Sequence, residues 1–447
     1  MSIVGRLGER FWFLPAVLSV LASAAAVGLV ALDRVSQDRV APGWADFLLY
    51  RVGSAGSRDL LGAIATSSLA VAGTTFSITM AVLALTSSSY GPRLVRNFMV
   101  DKGNQAVLGV YVATFLYCLL VLRSVRVLGD PGAEDADVFV PHLAVNGAVV
   151  LAVANVGVLI YFIHHISDSV QVSTLVGGVR RELLATVDRL YPEHLGQGEA
   201  RAGTPDLSGE GLEVTADRAG YLQSVAQKTL ISTAHRHDLV VDLRVRPGDH
   251  VLAGDVLLVV RPAGTADDRV VRRLRRALLV TDARTPHQDI GFALQQLTEM
   301  AVRALSPGTN DPYTAQNAVD DLSAGLSELV SRPAPSPWRS GPDGVVRVHA
   351  PAPDVTQLLG TALDELRWYA AGAPAVVHAC VRLIGRVGSH AQAGDDRLFR
   401  ELLRHLDLFV DASEAAGHHP DDQARLAEHV RTTRQTLVRR TVGGAVP

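Results

Sequence analysis

Residues 11–32 read FWFLPAVLSVLASAAAVGLVAL, a run between Arg10 and Asp33 without one charged side chain. A helix needs about 20 such residues to cross the hydrocarbon core, where no water is present to satisfy an unpaired backbone group. Three further windows meet that length: between Asp59 and Arg93, between Lys102 and Arg123, and between Asp137 and Asp168. Hiding four such windows in a water-soluble core would take an unusually large domain around them, and the rest of the chain is too polar to supply one. The expected fold is α+β: a four-helix transmembrane region over residues 1–166, then a soluble part.

Composition agrees. Of 447 residues, 48% are hydrophobic and only 19% charged, below the ~25% usual in soluble proteins; the mean hydropathy is +0.20. The net charge of -3 carries no field that would mark a nucleic-acid binder, so a basic site has to be local. Cys118 and Cys380 cannot build a disulfide framework or a cysteine zinc site, which fits a reducing compartment. Lys102 and Lys228 are the only lysines and neither follows a glycine, so a G-x-x-x-x-G-K phosphate loop is excluded. G-x-G-x-x-G, G-x-S-x-G and H-E-x-x-H are absent as well. With no nucleophile, base and orienter to assemble, the chain reads as a non-enzyme without cofactor or metal.

The first window has a second reading as a secretory signal, because Arg6 and Arg10 precede it and Ala22-Ser23-Ala24 has a cleavage-site pattern. Its length, and Phe11, Trp12 and Phe13 as an interfacial belt, favour a span. Orientation rests on flanking arginine and lysine: Arg6, Arg10, Arg93, Arg96, Lys102, Arg180 and Arg181 on one side, Arg34, Arg39, Arg51, Arg58, Arg123 and Arg126 on the other. That near balance decides little. The large cysteine-poor C-terminal part favours both termini in the cytoplasm.

The second window, LLGAIATSSLAVAGTTFSITMAVLALTSSSYGP, repeats Ser68, Thr75, Thr79 and Thr86 near helical spacing. These are the candidate pore-lining residues of a conducting assembly. The same residues, with Gly73, equally suit close helix approach and hydroxyl bonds to a neighbouring helix or to their own backbone. Asn146, Asn155, Gly147 and Gly157 in the fourth window carry the same two readings. No Asp, Glu, Lys or Arg lies within a window, which argues against a proton relay or a charge-coupled pump.

Beyond the windows, Val172, Leu175, Val176, Val179, Leu183, Val187 and Leu190 recur every three or four residues, predicting a helical stalk over 167–192. Its stripe requires a cover, either the following domain or other copies of the chain. Residues 193–211 read as a linker. Over 212–262 the period changes to strands with turns at Pro247-Gly248-Asp249 and Ala253-Gly254-Asp255. RVRPGDHVLAGDVLLVV resembles half of the biotinyl/lipoyl-like hybrid barrel, a small β-sandwich; Arg261-Pro262 stands where that family has its cofactor lysine, so covalent biotin or lipoate is not expected. His235 and His237 lie two apart in a predicted strand, where two imidazoles on one face can begin a metal site with His250 and Asp249 as the nearby candidates for a further ligand; the alternative is an exposed strand face.

Residues 267–279 predict a helix with Val270, Val271, Leu274 and Leu278 on one side and five arginines on the other, suited either to solvent or to anionic headgroups. Within 263–330, Thr285-Pro286-His287-Gln288 predicts a helix start and Asp311-Pro312 caps a second helix, making a hairpin. Its SPGTNDP loop brings Gly308, Thr309, Asn310 and Asp311 around a helix N-terminus, a candidate ligand site for an anion or carboxylate. The bland alternative is a loop whose own Asp311 already occupies that terminus. Residues 331–345 form a proline-rich loop, and 346–447 a short strand followed by an α-helical bundle in which His378, His390, His405, His418 and His419 are expected on the surface.

Taken together, GTTFSITMAVLALTSSSYGPRLVRNF, FIHHISDSVQ, RPGDHVLAGDVLL and QDIGFALQQLTEMAVRALSPGTNDPYTA resemble a bacterial family of predicted membrane proteins, domain of unknown function 2254. The resemblance implies an integral inner-membrane protein with a large cytoplasmic part, and it transfers no catalytic residue. Two expectations follow. One is an ion or solute channel or transporter-like homo-oligomer in the lipid bilayer with a cytoplasmic regulatory domain. The other is a membrane-anchored scaffold or signalling module without transport activity.

Overall fold

The computed structural model describes residues 11–36, 53–90, 101–125, 139–170, 172–191 and 205–443. Arg6, Arg10, Arg39, Arg51, Arg93, Arg96, Arg126, the acidic loop 130–137 and most of the 193–211 linker lie outside the described residues. The chain divides into two compact units, Met1–Gln171 and Val172–Pro447.

In the first unit the windows form α1 (Phe13–Ser36), α2 (Ser54–Tyr90), α3 (Lys102–Ser124) and α4 (His142–Val170). All four are long and apolar enough to cross a membrane. Half of the α3 span is buried, and α3 packs against each of the other three. The outward faces of α1, α2 and α4 expose Val20, Leu21, Leu69, Phe76, Val150, Val153 and Ile160, an apolar surface of the kind that lipid covers. Close approach uses Gly109 and Gly147: an added Cβ would lie 3.0 Å from Pro15 Cα at the first and 2.5 Å from the Tyr117 hydroxyl at the second. Gly73 and Gly157 face open space instead.

The second unit opens with α5 (Val172–Leu190). There follow β1 (Leu212–Thr215), β2 (Gly220–Val225), α6 (Gln227–Arg236), β3 (Val240–Leu243), β4 (His250–Val251), β5 (Val256–Arg261), α7 (Asp268–Arg276) and β6 (Leu278–Thr281). Then come α8 (Ile290–Ala304), α9 (Pro312–Ser331), β7 (Trp338–Ser340), β8 (Val346–His349), α10 (Val355–Ala370), α11 (Pro374–His390), α12 (Asp396–Ala415) and α13 (Pro420–Gly443).

Among the described residues the strands make two sheets, ordered β1-β5-β3-β8-β7 and β4-β2-β6, and no closed barrel. All neighbours are antiparallel except β3 and β8. Leu222 and Val280 of one sheet join Val214, Val241, Leu258 and Val260 of the other in a single core, which α7 covers with Val270 and Leu274. Two turns of one design set the register: Asp249 accepts from Arg246 N–H and Asp255 from Leu252 N–H, both at 2.8 Å, with Gly248 and Gly254 at positive φ between them. Leu278 sits in β6, not on the α7 stripe expected of it.

α5 finds its cover within the chain. Val176, Val179, Leu183 and Val187 are buried and α5 packs on α8 and α9, where Leu183 rests against the bare backbone of Gly325. α9 also packs on α11, and α8 on α10, so the hairpin and the C-terminal helices share one core. The first hairpin helix starts at Ile290, four residues beyond the predicted proline start. Asp289 is its cap, accepting from Phe292 N–H at 2.9 Å while Arg284 grips its carboxylate at 2.8 and 3.0 Å. Gln288 turns away to bond the Val225 backbone of β2.

Candidate functional site

The span residues proposed to line a pore are placed as follows. Ser68, Thr75 and Thr79 are buried inside the four-helix unit. Thr75 donates to Val71 O at 2.6 Å and Thr79 to Thr75 O at 2.8 Å, each within its own helix. Ser68 accepts from Asn155 Nδ2 at 3.1 Å, Thr114 donates to Asn155 Oδ1, and the Tyr111 hydroxyl donates to Asn155 O at 2.8 Å. Asn155 therefore ties α2, α3 and α4 together. The Thr86 side chain lies outside those described. One charge was missed because it stands at the edge of a window: Asp33 is buried and accepts from Leu143 and Ala144 N–H at 3.0 Å each, capping α4 from the end of α1.

In the SPGTNDP loop, Thr309 and Asn310 N–H donate to Ser306 O, and Asp311 N–H donates to Ala304 O at 2.7 Å. Asp311 accepts from Thr314 N–H at 3.0 Å and from its hydroxyl at 2.5 Å, bonds that hold the carboxyl below its usual range. Asn310 takes a positive φ and Gly308 borders open space. The three amides and the helix terminus are thus engaged by the loop itself.

The histidines depart from expectation. His235 lies on α6, not on a strand, and pairs with Asp343 at 3.3 Å, while His237 ends that helix. Among the described residues no group of three or more His, Cys, Asp or Glu gathers to hold a metal. His405 is fully buried beside Glu401, and His378 stacks half-buried on His429 with their Nδ1 atoms 3.0 Å apart. The surface expectation fails for His405 and His378 because each falls on the inward side of a helix packed by three or more others.

The feature of the second unit with the most chemical content is a cavity of about 360 Å³, in the range of about 300–1,000 Å³ typical of small-molecule sites. Leu190, Val225, Leu243, Val245, Trp338 and a run of prolines supply its apolar wall. Arg189, Arg246 and Arg339 enter it, and no carboxylate lines it among the described residues. Arg189 is held by the His287 carbonyl at 2.6 Å. Arg339 bonds the carbonyls of Ser336 and Trp338, and burial pushes its guanidinium below the ordinary arginine range. The Tyr191 hydroxyl is buried without a hydrogen-bond partner among the described residues. Burial, with the nearby Asp354 charge, pushes it up to about 12, so it stays a neutral donor. A half-buried cation without a counter-charge among the described residues carries a free-energy cost that an anion in this cavity would offset.

Four apolar helices of membrane-spanning length followed by a mixed α/β unit define a polytopic membrane protein. The chain belongs to the family described as predicted membrane protein, domain of unknown function 2254, whose model matches residues 8–386. It is 33% identical over 349 residues to uncharacterized proteins of Mycobacterium bovis and Mycobacterium tuberculosis, covering 77% of this chain. The matched region spans 66% of the length of those relatives. No solved structure matches.

Proposed function

We propose that the protein is a ligand-responsive module anchored by its four spans in the bacterial plasma membrane, with both termini in the cytoplasm. Its ligand is a small anion with an apolar portion, received in the cavity between Tyr191, Arg246 and Arg339. The carrying observation is that lining: three arginines, no carboxylate among the described residues, and an apolar wall. Guanidiniums would hold a carboxylate or phosphate by paired N–H donors, and Trp338 and the prolines would cover the apolar part. Neither catalysis nor nucleic-acid binding enters this reading. The oligomeric state does not enter it either, since the α5 stripe is covered by α8 and α9.

The test uses the full chain in nanodiscs, with thermal stability followed against aromatic and short aliphatic carboxylates and their neutral amides. Carboxylates should raise the midpoint and amides should not, and Arg246→Gln or Tyr191→Phe should remove the effect. No shift with any carboxylate at 10 mM would refute the proposal.

The transport reading keeps one supporting observation. Asn104, buried near the start of α3, presents an amide whose nitrogen and oxygen have no partner among the described residues. In that reading several copies form a path beside Ser68, Thr75, Thr79 and Thr86. Ion flux into liposomes that falls with Thr75→Leu and Thr79→Leu would favour it; no flux for any ion, or flux indifferent to both, removes it.

A further inference from the structure

α7 concentrates positive charge beyond what its own dipole favours: Arg273, Arg275 and Arg276 stand in the last turn, where a helix favours cations, but Arg269 and Arg272 lie earlier. Of its nine residues, Arg269, Arg272, Arg273 and Arg276 fall at i, i+3, i+4 and i+7, one face of the helix, and all four are exposed. Like charges at these spacings repel, and a face evolved only for solvation intersperses acids. Here the helix's acids stand at its start. Asp267 caps it by accepting from Val270 N–H at 2.8 Å and lies near Arg269, and none of the four arginines forms a salt bridge among the described residues.

Arg269, Arg272, Arg273 and Arg276 line a concavity of about 400 Å³ together with the small residues Ala226, Thr229 and Ala277. A bond from Ala226 N–H to Ala277 O at 2.8 Å joins two of these. Ala226 is also the cap of the ten-residue α6, and it has no side chain to accept the first amides of that helix. The positive end of α6 therefore opens at the same place as the arginines. The C-terminus of α7, capped at Ala277, opens there as well, so the two helix ends offset each other and the arginine face sets the charge requirement.

We infer that this concavity is a binding site for a phosphorylated anion carrying at least two phosphoryl charges. Paired guanidinium N–H donors match phosphoryl oxygens two at a time, and four of them exceed what one carboxylate can neutralise. The site is separate from the apolar cavity. Val225 and Gln227 line that cavity while the intervening Ala226 lines this one, so the two share a wall and no lining residue.

The experiment titrates inorganic tripolyphosphate against the full chain in neutral-lipid nanodiscs at 150 mM salt, with sulfate as control. Binding should be submillimolar, weaken at least tenfold in Arg272→Gln/Arg276→Gln, and be unchanged in Arg246→Gln. The glutamine variant removes like-charge neighbours from an exposed face, so its thermal midpoint should not fall; that separates lost binding from lost folding. A second arm adds short-chain phosphatidic acid. Competition assigns the phosphoryl group to a lipid headgroup, and its absence assigns it to a soluble phosphate. Affinity equal for sulfate, affinity indifferent to Arg272 and Arg276, or no binding at 5 mM would overturn the inference.

Discussion

Replacing Asp289 with alanine removes three bonds at once from the junction of the β-sheets and the helical core. Its carboxylate is almost fully buried, caps α8 through Phe292 N–H, and takes both prongs of Arg284. The cap alone contributes about 1 kcal/mol, and a charge-assisted buried pair about 2 kcal/mol more. Arg284 is a quarter exposed and keeps Gln295 at 2.9 Å, so it rehydrates in part, and the cost stays near 3 kcal/mol instead of the ~5 of a fully stranded charge. Gly248 stands directly above: its φ is +101°, and an added Cβ would lie 2.4 Å from Asp289 Oδ2. Gly248→Ala should therefore cost about 3 kcal/mol, part backbone strain and part collision. Once Asp289 is alanine the collision has no partner, so Gly248→Ala/Asp289→Ala should be about 1–2 kcal/mol less damaging than the sum of its parts. Denaturant unfolding of the full chain in detergent, read by Trp338 and Trp368 fluorescence with Trp12 and Trp44 replaced by Phe, measures the cycle. Additivity within about 0.5 kcal/mol, or Asp289→Asn as harmful as Asp289→Ala, would refute the reasoning.

The stacked His378 and His429 are each held below the ordinary imidazole range, first by burial and then by neighbouring charge from Arg382 and, at His429, from His378. The unfolded chain takes up protons that the folded one refuses, so stability is full above about pH 6.5 and declines as pH falls through the lower folded values. Unfolding midpoints at pH 7.5 and 5.5 should show that decline, and His378→Gln/His429→Gln should flatten it. Asn155→Leu should destabilise the membrane unit by about 0.6–1.7 kcal/mol in an SDS titration, because it severs Ser68 and Thr114 together. Thr75→Val loses only a bond within its own helix and should sit near zero. Gly325→Ala should cost about 1–3 kcal/mol of second-unit stability, since its Cβ would meet Leu183 Cδ2 at 2.1 Å, and Leu183→Ala should suppress that penalty in denaturant unfolding.

Local pattern carried much of this fold and failed at identifiable points. The four windows, the Gly-Asp turns and the Asp311 cap were legible because each is decided within a few residues. β7 was not, and although the short strand after the proline-rich loop was legible and became β8, its pairing was not: it lies far downstream of β3, and nothing local announces a parallel partner. Thr285-Pro286-Gln288 has the right residue types for a helix start, yet Asp289 prevails because Arg284, five residues earlier, fixes its carboxylate over Phe292 N–H. His235 was assigned a strand because a short polar helix beside strands leaves no apolar period to detect.

The same reasoning explains why a hydroxyl stripe is a weak signal for a conduction path while an arginine-rich cavity escapes sequence altogether. A Thr in a span always has an acceptor four residues back, as Thr75 has in Val71 and Thr79 in Thr75, so hydroxyl spacing alone cannot separate a pore from packing. Arg189, Arg246 and Arg339 come instead from a helix end, a turn and an edge strand. Alone, each is an ordinary basic residue at an unremarkable position. Only the folded chain brings them to one apolar wall, and there the absence of any carboxylate among the described lining residues turns three unrelated charges into a demand for an anion.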